Sequence, residues 1–347
     1  MIKPLSICIP SNRNFNRAKA SIFSAVSFCE NNQTNLIISD NANDQDKTKI
    51  LKNIDLPFVK YLFNGPDIAI ENWLNAVKES SSLYTLILSD DDLILNVEDN
   101  KIDFKELKKK NILGIKPVIN CWNSSVGVYK TNNFKMDQDD PIERVINYRK
   151  NSLGDNTSMY SFFDTQVLKD LLTVFLYHPT RGGYTDWAFT HALISSGKLV
   201  NDYSKLLVYK NNNWFGDASH IISQTKELFT KSGLNERGIL FNMLFRALDI
   251  FILVLRYNSP LNRLLLIETA KFSLKFYMKN FKEYFLKHIK NFTPNEASAI
   301  EKINMNGTVE AMLEQSLEVI NVYFPGLKEK YQNFYLKTVG YEWGIIK

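Results

Sequence analysis

The stretch Tyr84-Thr-Leu-Ile-Leu-Ser-Asp-Asp-Asp-Leu-Ile-Leu95 places three successive carboxylates directly after a β-type apolar run, and then turns apolar again. Adjacent like charges beside buried surface repel one another and are costly to desolvate, so a nearby cation would keep them ionised. Oxygen-only ligands favour Mg²⁺ or Mn²⁺, whose remaining coordination positions go to phosphates or water. Asp90, Asp91 and Asp92 are therefore a candidate divalent-metal site. The alternative is an acidic turn that caps the next segment.

Three shorter apolar runs precede this stretch, at residues 5–10, 36–40 and 59–63, and each is typical of a buried strand. Between them, apolar residues recur at helical spacing within residues 18–29 and again within 70–77. Alternation of strands and helices builds a mostly parallel sheet with helices on both faces. The sequence therefore predicts a Rossmann-like α/β fold for the first part of the chain.

Polar residues follow the strands of this predicted sheet at the points where the strands end. The loop at 11–16 follows the first strand, Asp40 ends the second, and the acidic triplet follows the strand that begins at Tyr84. Ligands of such sheets gather at the carboxyl ends of the strands. The three polar clusters, which are far apart in sequence, are expected to converge on one crevice.

The length and the change of pattern along the chain predict two domains. Residues 1–214 carry the α/β pattern, and the polar run at 210–213 is the candidate boundary. Residues 215–347 are helical in pattern, with apolar or amphipathic segments at 239–256, 261–270 and 308–322.

Composition places the chain among folded soluble proteins, with 45% hydrophobic and 23% charged residues. The first ten residues lead straight into a strand and lack the features of an export signal, so a cytoplasmic location is expected. The three cysteines, Cys8, Cys29 and Cys121, have no metal-ligand spacing and are interpreted as reduced structural residues.

Lysines alternate with aromatic residues within residues 271–290, which predicts a basic amphipathic helix. Such a helix can lie on an anionic membrane surface, with lysines near phosphates and rings at the level of the headgroups. It can equally be a bundle helix with a solvated lysine face. Both interpretations remain open from the sequence.

Four segments resemble motifs of the family 2 glycosyltransferases, which are nucleotide-sugar-dependent enzymes of the GT-A fold. Leu5-Ser-Ile-Cys-Ile-Pro-Ser-Asn-Arg13 is similar to the opening strand and its Pro-Thr-Tyr-Asn-Arg-like loop. Ile37-Ile-Ser-Asp-Asn-Ala-Asn-Asp44 resembles the second-strand motif, and Leu88-Ser-Asp-Asp-Asp-Leu93 the acidic metal-binding signature. Thr185-Asp-Trp187 resembles the later Glu-Asp-Trp element. Together these segments cover about the first 210 residues.

The resemblance implies a role for each matched residue. Pro10, Ser11, Asn12 and Arg13 would line the nucleotide pocket, Asp40 would bond the base, Asp90 would approach the ribose, and Asp186 would be the catalytic base. A literal Asp-x-Asp reading assigns the metal to Asp90 and Asp92, whereas matching on Leu88 assigns it to Asp91, with Asp92 close by. Asp91 is preferred and all three are retained. Glu71 and Thr185 stand where many members have Arg and Glu.

The activity implied by the resemblance is an inverting transfer of sugar from a nucleotide-sugar, with UDP as the expected nucleotide. A Mn²⁺ or Mg²⁺ ion would neutralise the departing diphosphate while one carboxylate deprotonates the acceptor hydroxyl. The expected acceptor is a glycan or lipid-linked oligosaccharide in O-antigen, capsule or lipooligosaccharide synthesis, with peripheral contact to an anionic membrane. This setting follows from analogy with bacterial relatives.

Two other classes of protein fit part of the sequence. A nucleotidyltransferase also uses Mg²⁺ at an Asp cluster, but it normally carries a Gly-rich phosphate loop, and residues 11–16 contain no Gly. A nucleic-acid-binding protein would explain the sequence pI of about 8.8 and the basic segment at 271–290. It would leave Asp40, the acidic triplet and Asp186 without a purpose, so nucleic acid is not an expected partner.

Overall fold

A computed structural model describes residues 3–99, 102–152, 154–212 and 214–340. The chain divides into two compact units. One contains the residues up to Leu172 together with Gly197–Phe215, and the other contains Thr173–Ser196 and the residues from Gly216 onward. The division into domains 1–214 and 215–347 stays a prediction, but the segment Thr173–Ser196 groups with the helical part of the chain.

The first unit is built on a sheet of nine strands within the described residues. Their bounds are β1 Leu5–Ser11, β2 Asn35–Asp40, β3 Val59–Phe63, β4 Tyr84–Ile87, β5 Leu93–Asn96, β6 Gly114–Asn123, β7 Gly127–Asn132, β8 Phe162–Asp164 and β9 Leu199–Lys210. The spatial order is β3-β2-β1-β4-β8-β6-β9-β5, with β7 beside β6.

The half of the sheet that contains β3, β2, β1 and β4 is parallel, as the strand–helix alternation predicts. In the other half, β8 is antiparallel to both neighbours, β6 and β9 run parallel, and β5 and β7 are antiparallel edge pairings. Ser11 at the end of β1 lies opposite Asp40 at the end of β2. The carboxyl ends of these two strands are therefore level, and the residues that follow them share one edge.

Six helices accompany this sheet in the described residues: α1 Phe15–Asn31, α2 Gln45–Lys52, α3 Ala69–Lys78, α4 Phe104–Lys109, α5 Pro141–Ser152 and α6 Thr165–Phe175, the last of which ends in the second unit. Leu5, Ile7 and Ile9 alternate along β1 and pack in one cluster with Ile22 and Phe28 of α1. The buried residues of α3 lie outside that cluster although α3 packs on β1 and β2. Helices therefore cover both faces of the sheet.

The second unit is helical. Its helices are α7 Asp186–Ser196, α8 Ala218–Lys231, α9 Asn242–Val254, α10 Arg263–Lys287, α11 Pro294–Glu301, α12 Val309–Tyr323 and α13 Leu327–Val339. The core helix is α9, whose residues from Ala247 to Val254 are all buried. The predicted class, an α/β sheet unit and a helical C-terminal part, is confirmed. Among the described helices, none has the length and apolar character needed to cross a membrane.

The basic segment at 271–290 lies mostly in α10, which also includes most of the segment predicted separately at 261–270. Its aromatic residues Tyr277, Phe281 and Phe285 are buried in the helical unit, whereas Lys275 and Lys279 are exposed. This distribution is that of a bundle helix with a solvated lysine face. Contact between that face and a membrane stays a prediction.

Candidate functional site

A cleft of about 210 Å³ opens where the carboxyl ends of β1, β2 and β4 meet. Its lining comes from the segments that follow these strands and from α3, and includes Pro10, Asn12, Arg13, Asn41, Asp67, Ala69, Asn72, Trp73, Ile87, Ser89, Asp90 and Met159. The cleft thus combines residues of the loop at 11–16, of the segment after β2 and of the acidic triplet. Asp40, the residue predicted to join them, instead lines a neighbouring pocket of about 680 Å³ that shares Asn41 and Asp67 with the cleft.

Asp90 joins the loop after β1 to the end of β4. Its Oδ2 accepts hydrogen bonds from the Ser11 hydroxyl at 2.6 Å and from the backbone N–H groups of Asn12 and Arg13 at 3.1 and 3.0 Å. Its Oδ1 accepts from Nη1 of Arg13. Both oxygens are engaged and the residue is only 2% exposed. Asp90 therefore shapes the cleft, and a ligand that used its oxygens would have to displace these donors.

Arg13 connects Asp90 with Asp91. Its second nitrogen, Nη2, lies 2.8 Å from Oδ2 of Asp91. Burial opposes the charged guanidinium, but Asp90 and Asp91 overcome that effect and raise the pKa of Arg13. Burial raises the pKa of Asp91, and the charge of Arg13 offsets that rise only in part. The cation that the acidic triplet requires is thus supplied here by a residue of the preceding loop.

Asp92 points to a different set of partners. Its Oδ1 accepts from the backbone N–H of Lys210 at 2.8 Å, so it anchors the end of β9. Burial, together with the charge of Asp91, raises the pKa of Asp92 to about 8, and hydrogen bonds from Lys210 and Tyr160 oppose the rise. When this buried carboxyl group is ionised, its negative charge is poorly solvated. A nearby cation would therefore stabilise the ionised form.

Asp40 is held by a buried lysine. Nζ of Lys47 lies 2.7 Å from Oδ1 of Asp40, and it also donates to the Ser11 hydroxyl at 2.6 Å and to the Arg13 carbonyl at 2.8 Å. Oδ2 of Asp40 accepts from the Tyr61 hydroxyl at 2.9 Å. These contacts link Asp40, through Lys47 and Ser11, to Asp90. The predicted contact between Asp40 and a nucleotide base stays a prediction.

The acidic triplet can be tested for its fit to a divalent ion. Groups of three or more His, Cys, Asp or Glu side chains arranged to hold a metal are absent from the described part of the chain. A Mg²⁺ or Mn²⁺ ion on a nucleotide, however, needs just one or two carboxylates, because phosphate oxygens and water complete its shell. Asp91 meets that need, since its side chain is 30% exposed whereas that of Asp90 is 2% exposed. The residues fit such an ion through Asp91.

Asp186 belongs to the other unit and is the first residue of α7. Its Oδ1 accepts from the backbone N–H of Trp187 at 2.7 Å, and the residue is half-buried. The guanidinium of Arg246 lies 4.7 Å from the centre of the Trp187 ring. A carboxylate at this position is favoured in its ionised form by the helix dipole and the free N–H groups.

The loop that leads to Asp186 is held by a buried histidine. Nδ1 of His178 accepts from the backbone N–H groups of Thr180 and Arg181 at 3.2 and 3.0 Å. Nε2 of His178 lies 2.9 Å from Oδ1 of Asp249, which also accepts from the Tyr331 hydroxyl at 2.7 Å. The contacts of His178 are those of a residue that fixes the loop.

Three residues of the first unit were missed by sequence reasoning. Lys47 is one of three lysines in the polar helix α2, Lys210 meets Asp92 through its backbone, and Asn72 bonds the Ser39 carbonyl at 3.1 Å and lines the cleft. Asn72 directly follows Glu71, at which the sequence departs from the family pattern. Lys47 and Lys210 have no signal in the sequence, because their contacts depend on how distant segments come together.

Comparisons with known proteins find no matching family model and no matching curated protein. Among solved structures, residues 1–349 of TarS from Staphylococcus aureus resemble the chain with a TM-score of 0.47 and 11% identity, over 96% of this chain and 90% of that one. The same TarS fragment in complex with UDP and with UDP-GlcNAc gives TM-scores of 0.47 and 0.46 and identities of 11% and 12%, at the same coverage. The functional argument therefore rests on the residues of the cleft.

Proposed function

We propose that the chain is a metal-dependent GT-A glycosyltransferase that moves a sugar from a nucleotide-sugar, with UDP as the nucleotide, to a hydroxyl group of a glycan or lipid-linked oligosaccharide. The observation that carries the proposal is the cleft at the carboxyl ends of β1, β2 and β4, where Pro10, Asn12, Arg13 and Asp90 meet. That edge is where sheets of this kind bind nucleotides. The four resembling motifs support the same assignment.

The donor would lie in the cleft with its base against the apolar surfaces and its diphosphate toward the acidic triplet. Trp73, Ile87 and Met159 provide apolar lining, while Asn12 and Asn72 provide hydrogen-bonding groups. Arg13 offers the planar guanidinium that suits phosphate oxygens. Asp91 is the residue that would hold Mn²⁺ or Mg²⁺ on the diphosphate, and the bound ion would neutralise the departing nucleoside diphosphate.

On the acceptor side, Asp186 is the proposed general base. An inverting transfer needs a single base, which takes the acceptor proton as the hydroxyl oxygen attacks the anomeric carbon and the bond to the diphosphate breaks. The position of Asp186 at the start of α7 keeps the carboxylate ionised and able to accept that proton. His178 and Asp249 hold the loop that precedes it.

The products of the reaction test the proposal. The protein is incubated with Mn²⁺, an acceptor extract and a panel of UDP-, GDP- and dTDP-sugars, and the phosphate products are identified. Glycosyl transfer releases a nucleoside diphosphate, so free UDP should accumulate with a UDP-sugar. A parallel incubation contains a sugar 1-phosphate and the nucleoside triphosphates in place of the nucleotide-sugars. Release of pyrophosphate there, without release of UDP in the first incubation, would indicate a nucleotidyltransferase and replace the proposal.

The base assignment has a matched control in the same unit. Asp186→Asn keeps much of the hydrogen bonding at the helix start and removes the basicity, so turnover should fall by about 10²–10⁴-fold with donor affinity unchanged. Asp217 caps α8 by accepting from the His220 N–H at 2.9 Å. Asp217→Asn should therefore retain turnover. An Asp186→Asn enzyme that keeps more than about a tenth of the wild-type rate would rule out the base role.

A further inference from the structure

Arg13 makes two contacts that differ in how readily a ligand can replace them. Nη1 bonds Asp90, whose side chain is 2% exposed, and Nη2 bonds Asp91, whose side chain is 30% exposed. The backbone of Arg13 is fixed as well, because its N–H bonds Asp90 and its carbonyl accepts from Lys47. The contact between Arg13 and Asp91 is thus the exchangeable one, on a loop that is otherwise anchored.

The same contact occupies one of the two oxygens through which Asp91 could bind a metal ion. Oδ2 of Asp91 lies 2.8 Å from Nη2 of Arg13, and Oδ1 of Asp92 accepts from the Lys210 N–H. A divalent ion that takes Asp91 through Oδ2 must therefore displace one prong of the guanidinium, because two cations repel one another at that distance. Without nucleotide, the displaced prong would lose its charged partner.

A nucleoside diphosphate supplies that partner. Arg13 lines the cleft, so a guanidinium prong that leaves Asp91 lies on the wall that the diphosphate would face. Pairing of arginine with phosphate oxygens is as favourable in geometry as pairing with a carboxylate. The metal ion would then bind Asp91, and the phosphate would pair with Arg13.

We propose that Arg13 exchanges partners. In the empty protein its Nη2 is paired with Asp91, and when a divalent ion binds Asp91 this Nη2 pairs with the diphosphate instead. Metal and nucleotide binding are thereby made mutually dependent, which disfavours binding of the ion alone. This inference rests on the proposed function, since it requires a nucleoside diphosphate in the cleft. It makes Arg13 a competitor of the metal and a ligand of the nucleotide.

The test measures Mn²⁺ binding by electron paramagnetic resonance and UDP binding by calorimetry at saturating Mn²⁺. Three proteins are compared: wild type, Arg13→Gln and the control Arg17→Gln, which alters an exposed arginine of α1. Arg13→Gln should bind Mn²⁺ alone more tightly than wild type and bind UDP with Mn²⁺ more weakly, each by about 5-fold or more. The control should match wild type in both measurements.

The two changes in affinity, for Mn²⁺ and for UDP, should have opposite signs if Arg13 exchanges partners. A loss of local structure would instead weaken the binding of both ligands. Circular dichroism melts confirm that each variant is folded, and Arg13→Lys provides a second variant that keeps the charge without the two-pronged geometry. Arg13→Lys should also weaken UDP binding. If wild type binds UDP with Mn²⁺ while Arg13→Gln shifts both affinities in the same direction or neither, the exchange is wrong. If wild type itself does not bind UDP, the proposed function is wrong.

Discussion

Asp40 and Asp91 both follow parallel strands of the same sheet half, and both are paired with a basic side chain. The side chains of Asp40 and Lys47 are 1% and 0% exposed, whereas those of Asp91 and Arg13 are 30% and 25% exposed. The sequence predicts ligand contacts for both carboxylates. The difference in burial divides the roles: the first pair holds the end of β2 to the loop after β1, and the second is open to exchange.

The reason is the free energy of desolvation. A buried ion pair is held by strong attraction, but removing one partner leaves an uncompensated charge in a medium that solvates it poorly. A partly exposed pair such as Arg13–Asp91 contributes less to stability, because water and salt partly screen it. A ligand can therefore replace one partner of the Arg13–Asp91 pair at small loss, whereas it would have to disrupt the sheet edge to replace Lys47.

The largest effect is expected from breaking the buried pair. Lys47→Met leaves Asp40 buried without its cation and should lower the free energy of unfolding by about 3–5 kcal/mol. Asp91→Asn leaves Arg13 with its partner Asp90 and should change the same quantity by less than about 1 kcal/mol. Urea unfolding of both variants measures the contrast. Equal losses in the two variants would contradict the division of roles.

A smaller effect separates structure from binding at Asp40. Asp40→Asn retains one acceptor oxygen for Lys47 but loses the charge and the oxygen that accepts from Tyr61, and the free energy of unfolding should fall by about 1–3 kcal/mol. Because both carboxylate oxygens are already engaged, UDP affinity of the folded variant should change less than stability does. Calorimetry decides the matter: a loss of UDP affinity above about 1.5 kcal/mol would show that Asp40 contacts the base, as the sequence predicts.

A second buried lysine, Lys116, extends the comparison, because its ammonium group contacts a backbone carbonyl whereas that of Lys47 contacts a carboxylate. Nζ of Lys116 donates to the Phe134 carbonyl at 3.0 Å, and burial lowers the pKa of Lys116 from 10.5 to about 8. Between these values the unfolded chain binds more protons than the folded one, so stability should rise as pH rises from about 8 toward 10. Lys116→Met should remove that rise in pH-dependent urea melts. A rise that persists in the variant would assign it to other groups.

The smallest effect concerns exposed lysines of the second unit. Lys275, Lys279 and Lys287 are exposed on α10, and each lysine near an anionic surface contributes about 1 kcal/mol at low salt. Changing the three to Gln should release the protein from anionic liposomes in a flotation assay. The matched control changes exposed lysines of the first unit, at Lys19, Lys78 and Lys105, and should leave binding intact. If the wild-type protein does not bind such liposomes at low salt, the membrane interpretation is wrong.

Much of the first unit could be predicted because its strands are apolar runs. The strand predicted at 59–63 matches β3, and those predicted at 5–10 and 36–40 differ from β1 and β2 by one residue. The twelve-residue strand β9 pairs with β6 along most of its length, but the register between them shifts at Pro117 and Val118. The pattern of apolar residues determines which segments pair, but local irregularity depends on the neighbouring strand.

The sequence predicts where the candidate site lies but only some of the contacts that its residues make. The sequence indicates that the triplet needs a cation, and a loop 77 residues earlier supplies one in Arg13. Lys47 was missed because it is one of three lysines in a short polar helix, and the pattern does not distinguish the buried one from the two exposed ones. Which carboxylate is buried and which is exposed depends on the packing of β4 against β1, so the choice among Asp90, Asp91 and Asp92 could not be made from their order in the chain.

The central claim is that Asp91 holds the ion that bridges a nucleoside diphosphate in the cleft. The most direct measurement is the calorimetric affinity for UDP of wild type and Asp91→Ala, each with and without saturating Mn²⁺. Wild type should bind UDP more tightly with Mn²⁺, by roughly 5–150-fold, and Asp91→Ala should lose that gain while it keeps its fold. Equal UDP affinity in the two proteins at saturating Mn²⁺ would contradict the claim.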